Sequence, residues 1–268
     1  MPGILLRIPY IQNKVSEVAT TQLSGHLGVP VKIGNVDIEW FNRLVLEGLY
    51  LEDQDGKVMF EANHVAAGFE IMPLLEGKFV FTTVRLFGFS FNLRKHTPES
   101  PLNLQFVIDA FASKDSIKKE KNIDLRFNSI MIRRGNFSYN VDSEKETPGK
   151  FNAKHIDIKN LSAKISLKAF NKDSVNAHIK KMSFDEASGF SLNKLSLNVV
   201  GNRDSAFVQD FEVRLPQTNL KIGRARIDLS EIDSLPALLN NAPIDLNITP
   251  SQICLKDLSP FVPAFKNF

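Results

Sequence analysis

The stretch "FVFTTVRLFGFSFNL", Phe79 to Leu93, decides the fold class. Its second half sets Phe87, Phe89, Phe91 and Leu93 at every second position, with Gly88, Ser90 and Asn92 between them. Side chains alternate across a β-strand, so this segment is expected to present one apolar face and one small polar face. Its first half breaks the alternation: after Phe79 and Phe81 a step of three leads to Val84 and Leu86. With Φ for an apolar residue this reads ΦxΦxxΦxΦ. The same pattern recurs over Val31–Ile38, Leu44–Leu51, Leu125–Ile132, Ile156–Ala163, Phe190–Leu197 and Leu220–Ile227.

In a plain strand a step of three sends the next pair of side chains to the opposite face. An inserted residue, a β-bulge, restores the phase and bends the strand. Neighbouring strands bent in the same sense make a curved sheet with the apolar residues along its inside. Alternatively, each "xx" is a tight turn between two very short strands. Gly34-Asn35, Glu47-Gly48 and Gly223-Arg224 suit such turns, and Thr82-Thr83 and Lys159-Asn160 suit them poorly.

Around these strands helical periodicity is sparse. Tyr10 to Leu27 reads as an amphipathic helix, with Ile11, Val15, Val18, Leu23 and Leu27 at helical spacing and Gly28 and Pro30 ending it. Short helices are expected at Leu104–Phe111, Ser234–Asn240 and near Pro260. "DQDGK", Asp53 to Lys57, is a hairpin signal; it resembles the opening of a calcium loop but lacks the carboxylate downstream. The fold class expected is mainly β: a curved antiparallel sheet forming an open groove, with an N-terminal amphipathic helix and few short helices. Two segments follow, residues 4–111 with the helix and the first part of the groove, and residues 122–268 continuing it, within what reads equally as one continuous domain.

Composition narrows the function classes. The 268 residues are 43% apolar, enough for a sizeable core, and the net charge of +3 is too small and evenly spread to predict nucleic-acid binding. One cysteine, Cys254, excludes an internal disulfide framework. There are 21 Phe against three Tyr and one Trp, which argues against an outer-membrane barrel with its aromatic girdles and points to dry surface, either core or a site for acyl chains. No apolar run reaches the roughly 18 residues of a membrane span, yet "GILLR" at the start reads as the end of a cut membrane helix or as an ordinary terminus.

Catalytic chemistry is not suggested. The five histidines, His26, His64, His96, His155 and His178, form no metal-binding spacing, and P-loop, GxGxxG and GxSxG motifs are missing. Asp37, Asp124, Asp157, Asp228 and Asp245 stand beside strand Φ residues and read as the wet side of a one-sided sheet, as do Lys154, Lys159, Lys164 and Lys168. No enzyme, metal or cofactor is expected.

"LLRIPYIQNKV", "LSGHLGVPVKIGNVDIEWFNRLVLEGLYLEDQDG", "FVFTTVRLFGFSFNLRK" and "LQFVIDAF" follow one another in an order that resembles the membrane-proximal N-terminal region of AsmA-like proteins, of the TamB branch. The resemblance covers residues 5 to 111; beyond 122 only the style of short bent strands matches. It implies a periplasmic β-groove anchored in the inner membrane by a helix missing here. Such a groove carries phospholipid between inner and outer membranes, as the chorein-type bridge-like proteins of eukaryotes do. It also implies a link to outer-membrane barrel assembly proteins. Carried onto this chain, Ile33, Val36, Ile38, Leu46, Leu49, Leu51, Phe79, Phe81, Phe87, Phe89 and Phe91 would line the groove around acyl chains. The later repeats add Phe127, Ile130, Ile132, Leu192, Leu195 and Leu197. An open groove also ends in edge strands, which accept strands from partners in the alternative role of an assembly module.

Asp-Ser followed by an apolar residue occurs at Ser116, Ser174, Ser205 and Ser234. This resembles the acceptor signature of a bacterial periplasmic O-glycosylation system. Asp-Ser pairs equally favour turns and caps.

Overall fold

The computed structural model describes residues 9–39, 42–72, 79–111, 123–170, 174–202, 204–228 and 244–267. The chain is mainly β. After helix α1 (Pro9–Leu27) come β1 (Val31–Lys32), β2 (Asn35–Glu39), β3 (Arg43–Glu52), β4 (Val58–Phe69) and β5 (Phe79–Lys95), then helix α2 (Gln105–Phe111). Seven strands follow: β6 (Ile123–Val141), β7 (His155–Phe170), β8 (Ser174–Glu186), β9 (Ser191–Asn202), β10 (Ser205–Arg214), β11 (Asn219–Asp228) and β12 (Ile244–Ile248). Two 3-10 turns near Pro260, Leu255–Leu258 and Pro263–Asn267, close the described chain, and the helix expected at Ser234–Asn240 lies outside the described residues.

Consecutive strands are neighbours in a single curved sheet, β1-β3-β4-β5-β6-β7-β8-β9-β10-β11-β12, with β2 beside β1 on the same partner, β3. Among the described residues the order is a path with two ends, and no pairing closes it into a barrel. By contacts the chain divides into two units, one of Met1–Phe127, Ile132–Thr147 and Asn152–Asn160, the other of Asn128–Met131, Pro148–Phe151 and Leu161–Phe268.

The step of three is resolved locally, and in more than one way. In β3 the residue between the two apolar pairs, Gly48, has φ +61°, a left-handed conformation that only glycine adopts freely. It turns the strand over, so that Leu44, Leu46, Leu49 and Leu51 all pack into one cluster. In β7 Asn160 does the same at φ 56°. In β5 the register passes from Gly68 opposite Thr83 to Phe69 opposite Phe81, which leaves Thr82 as an inserted residue. β9 carries an extra residue between Leu192 and Leu195, and β11 carries Gly223 as an extra against β12. These are the bulges and bends expected from the pattern. At Gly34 the chain breaks into two short strands, β1 and β2, and there the other device operates, although both strands pair β3 and form no hairpin.

In the first unit the creases line up across strands. Glu47, His64 and Phe87 are mutually opposite, as are Leu49, Ala62 and Phe89 one step on; Gly48, Asn63 and Gly88 therefore stand abreast. Gly88 has φ +59°, and a Cβ there would meet Asn63 Nδ2 at 2.6 Å. Arg134 in β6 is left-handed too, at φ 51°.

α1 lies over β1 and β2. Ala19, Leu23 and Leu27 pack on the buried Val31, Ile33 and Val36, whereas Val18, expected on the apolar face, is exposed. Its hydroxyls satisfy the outer backbone of the edge strand: Ser24 Oγ accepts from Val31 N–H (3.0 Å) and donates to the Val31 carbonyl (3.2 Å), and Thr20 Oγ1 accepts from Ile33 N–H (3.1 Å). One turn earlier Ser16 is 4% exposed and its hydroxyl has no hydrogen-bond partner among the described residues.

Candidate functional site

The candidate site is the apolar face of the strands, and each unit carries its own portion. In an antiparallel sheet, directly opposite residues share a face. In the first unit Val36 opposes Leu46 and Ile38 opposes Leu44, so Ile33, Val36, Ile38, Leu46, Leu49 and Leu51 share one face, with α1 upon it. Ile33 and Val36 are buried there, so this end of the face is already covered by protein.

Further along the same face lies an aromatic patch. Leu51, Phe60 and Phe91 are opposite one another, as are Leu49, Ala62 and Phe89. Phe89 is 6% exposed and stacks on Phe60 with ring centroids 6.2 Å apart. Phe91 meets Phe60 edge-on at 5.7 Å and Phe137 at 6.2 Å. A Cβ on Gly135 would overlap the Phe89 ring, so the missing side chain of one strand is the seat for the phenyl of the next. Within this unit the face of Phe89 and Phe91 touches other phenylalanines and a bare glycine backbone.

Phe87 is not among them. Its cross-strand neighbours are His64 and Glu47, which is out of phase with the Leu46–Leu49 cluster, and the guanidinium of Arg134 sits 4.4 Å from its ring centre. The left-handed Gly88 explains the difference from simple alternation, because it turns Phe87 away from Phe89. Phe79, Phe81 and Phe127 lie on β5 and β6, with side chains outside the described residues. Ile130 and Ile132 are half-buried on β6.

In the second unit the apolar residues form rows across several strands. Ala177, Val199, Val208, Ala225 and Leu246 are successively opposite, as are Met182, Leu195, Val213 and Leu220. Ile179 opposes Leu197, Phe184 opposes the buried Leu192, and Phe211, Ile222 and Ile248 make a further row. Most are half-buried, and at the β12 edge Leu246 is 48% and Ile248 59% exposed. The end of the face at Phe184 is stoppered: Phe184, Phe190, Phe261 and Phe151 form a chain of rings 6.1, 5.0 and 4.9 Å apart, and Phe151 N–H donates to the Pro260 carbonyl.

Charged groups stand off this face. At the β3–β4 hairpin, Asp53 to Lys57, Arg94 pairs with Asp53 (3.2 Å), Asp55 and Asp142, its side chain 12% exposed and that of Asp53 2%. Burial pushes the Asp53 carboxyl up, but hydrogen bonds from Asn103 and from the Lys57 and Asp55 amides, together with the Arg94 charge, outweigh it and hold it below the ordinary value. The calcium-like sequence is thus an arginine-centred clamp, and no group of metal-binding side chains occurs among the described residues. In the second unit Lys194 and Arg214 pair with Glu212, whose carboxyl is lowered first by the Lys194 hydrogen bond, against burial, and then by Arg214.

Ser174 opens β8 and Ser205 opens β10 at the turn from β9, where both the Asp204 and Ser205 amides donate to Asn202 Oδ1 at 2.9 Å. Ser116 and Ser234 lie outside the described residues. No helix among the described residues is long and apolar enough to cross a membrane.

Sequence reading missed Phe60, Phe137, Met182 and Val213, which complete the apolar rows. Phe137 carried a signal in the alternation of "GNFSY"; Met182 and Val213 depend on register, which the sequence leaves unspecified. Compared with family models, curated proteins and solved structures, the chain matches none.

Proposed function

We propose that the apolar face of this open sheet solvates phospholipid acyl chains, and that the chain is a periplasmic segment of an AsmA-like, TamB-type carrier between inner and outer membranes. One observation carries the reading: the apolar rows of β8–β12, half-buried along most of their length, run out to Leu246 and Ile248, which are 48% and 59% exposed. Each methylene moved from water onto such a surface gains about 0.8 kcal/mol, so a few segments of tail suffice for occupancy without any catalytic group. The resemblance of residues 5–111 supports the same reading.

The test is native mass spectrometry of gently purified protein, with Leu195→Asp as the perturbation. Leu195 stands in the middle of a half-buried row, so a carboxylate there meets acyl chains; Leu246→Asp provides a second variant at an exposed position. Co-purified phospholipid is expected in the native protein and lost from both variants while circular dichroism is unchanged. Lipid-free native protein refutes the reading. Phe89 is a poor probe, because it is packed against Gly135 and Phe60.

A second reading, an assembly module that accepts partner strands, has its own observation. β1 is sealed by α1, whereas β12 is the opposite end of the sheet with no further strand upon it among the described residues. Crosslinking from Asp245 or Asn247 to an outer-membrane barrel protein would favour it.

A further inference from the structure

The second unit carries an open cavity of about 780 Å³ on the side away from its apolar rows, lined by Lys181, Asn193, Lys194 and the turn Arg214–Asn219. Lys194 and Arg214 are directly opposite on β9 and β10. Lys181 precedes Met182, which opposes Leu195, so it stands on the same side as Lys194 one strand over. Three cations thus converge from three adjacent strands. Like charges directly opposite one another on a sheet destabilise it. Glu212 offsets part of this by pairing with both Lys194 and Arg214, and the Asp257 carboxylate, which accepts from the Gln217 backbone N–H at 2.9 Å, brings a second negative charge to the turn; one positive charge remains in excess, with Lys181 in no ion pair among the described residues. Asn193, Gln217 and Asn219 add side-chain amides to the wall, and the Gln217 amide oxygen is engaged by Cys254 Sγ at 3.6 Å, which leaves its N–H groups as donors.

We propose that this cavity binds a phosphate group. Fixed cations and amide donors, set against the carboxylates of Glu212 and Asp257, match a tetrahedral polyanion, since charge-assisted hydrogen bonds to phosphate oxygens recover the repulsion among the cations. The group is supplied either by a phospholipid headgroup or by a soluble phosphate. The site stands whether or not acyl chains occupy the opposite face.

The experiment is amide NMR of the full chain at constant ionic strength, titrated with inorganic phosphate and, separately, with monomeric dihexanoyl phosphatidylglycerol. Saturable shifts are expected at Asn193, Lys194, Gln217 and Asn219. Lys181→Gln should weaken binding about fivefold, the scale of one partly exposed charge. Lys194→Gln provides a second variant that leaves Arg214 on Glu212. Shifts with both ligands identify a headgroup site, and shifts with phosphate alone identify a soluble phosphate. No saturable shift with either, equal shifts with chloride, or indifference to Lys181→Gln overturns the proposal.

Discussion

Gly135→Ala tests the packing of the first unit at its tightest point. A Cβ at Gly135 overlaps Cε1 and Cζ of Phe89 and lies 3.0 Å from Cδ1. The obstacle is a ring and not the end of a flexible chain, and that ring is fixed by its stack on Phe60. Either the phenyl swings out of its seat or β5 and β6 move apart. Overpacking of this kind costs about 1–3 kcal/mol. Replacing a strand glycine returns about 0.5–1 kcal/mol of backbone entropy. The net expectation is a loss of about 1–2 kcal/mol, read from the urea midpoint by circular dichroism at unchanged slope. Phe89→Ala removes the obstacle, so in that background Gly135→Ala should be neutral or mildly stabilising, a coupling of about 1–2 kcal/mol. If Gly135→Ala is neutral in the native background, or costs the same with and without the Phe89 ring, the ring does not sit on Gly135 and the reasoning fails.

The remaining predictions concern charge, creases and the helix. Because the Asp53 carboxyl is held low, its contribution to stability is complete above the ordinary carboxylate range near pH 4 and is lost as pH falls through its own lower value. The acid limb of an unfolding-versus-pH curve should therefore be shallower in Asp53→Asn, and Asp53→Ala should cost about 1–3 kcal/mol at pH 7 by leaving the Asn103 amide and the turn N–H groups without their acceptor, while Arg94 keeps Asp55 and Asp142. Gly48→Ala should cost about 1 kcal/mol through its backbone conformation alone, and Gly88→Ala more, because its new methyl meets Asn63; thermal melts of the two order them. Ser16→Ala should raise stability by about 1 kcal/mol, since it removes a buried hydroxyl with no partner among the described residues, and a lowered melting temperature would show that the hydroxyl is satisfied in solution.

The fold class was legible because ΦxΦxxΦxΦ is a geometric statement. Two apolar pairs three residues apart share a face only if the strand is locally turned over or carries an extra residue, and Gly48, Asn160, Thr82 and Gly223 do one or the other. The pattern could not say which. Left-handed glycine, left-handed asparagine and a plain register shift all give the same spacing, and at Gly34 the strand breaks instead. Phe87 shows the limit of reading alternation alone: a single left-handed Gly88 puts it on the other side from Phe89. The cover over Ile33 and Val36 was hidden because α1 holds the sheet partly through Thr20 and Ser24, residues that a search for apolar periodicity skips. The Arg94 clamp joins positions 41 and 48 residues apart in sequence, a distance over which composition carries no signal.

The hydroxyls of α1 have a consequence for how copies of this chain associate. A sheet with two bare margins is a bifunctional monomer, and backbone pairing links such monomers end to end without limit, the route to fibres. Here Thr20 and Ser24 occupy the outward groups of Val31 and Ile33, which blocks backbone pairing along the stretch of that margin they reach. A second copy can pair with this stretch only after α1 has left it, so unseating the helix is the step that would open β1 to strand exchange.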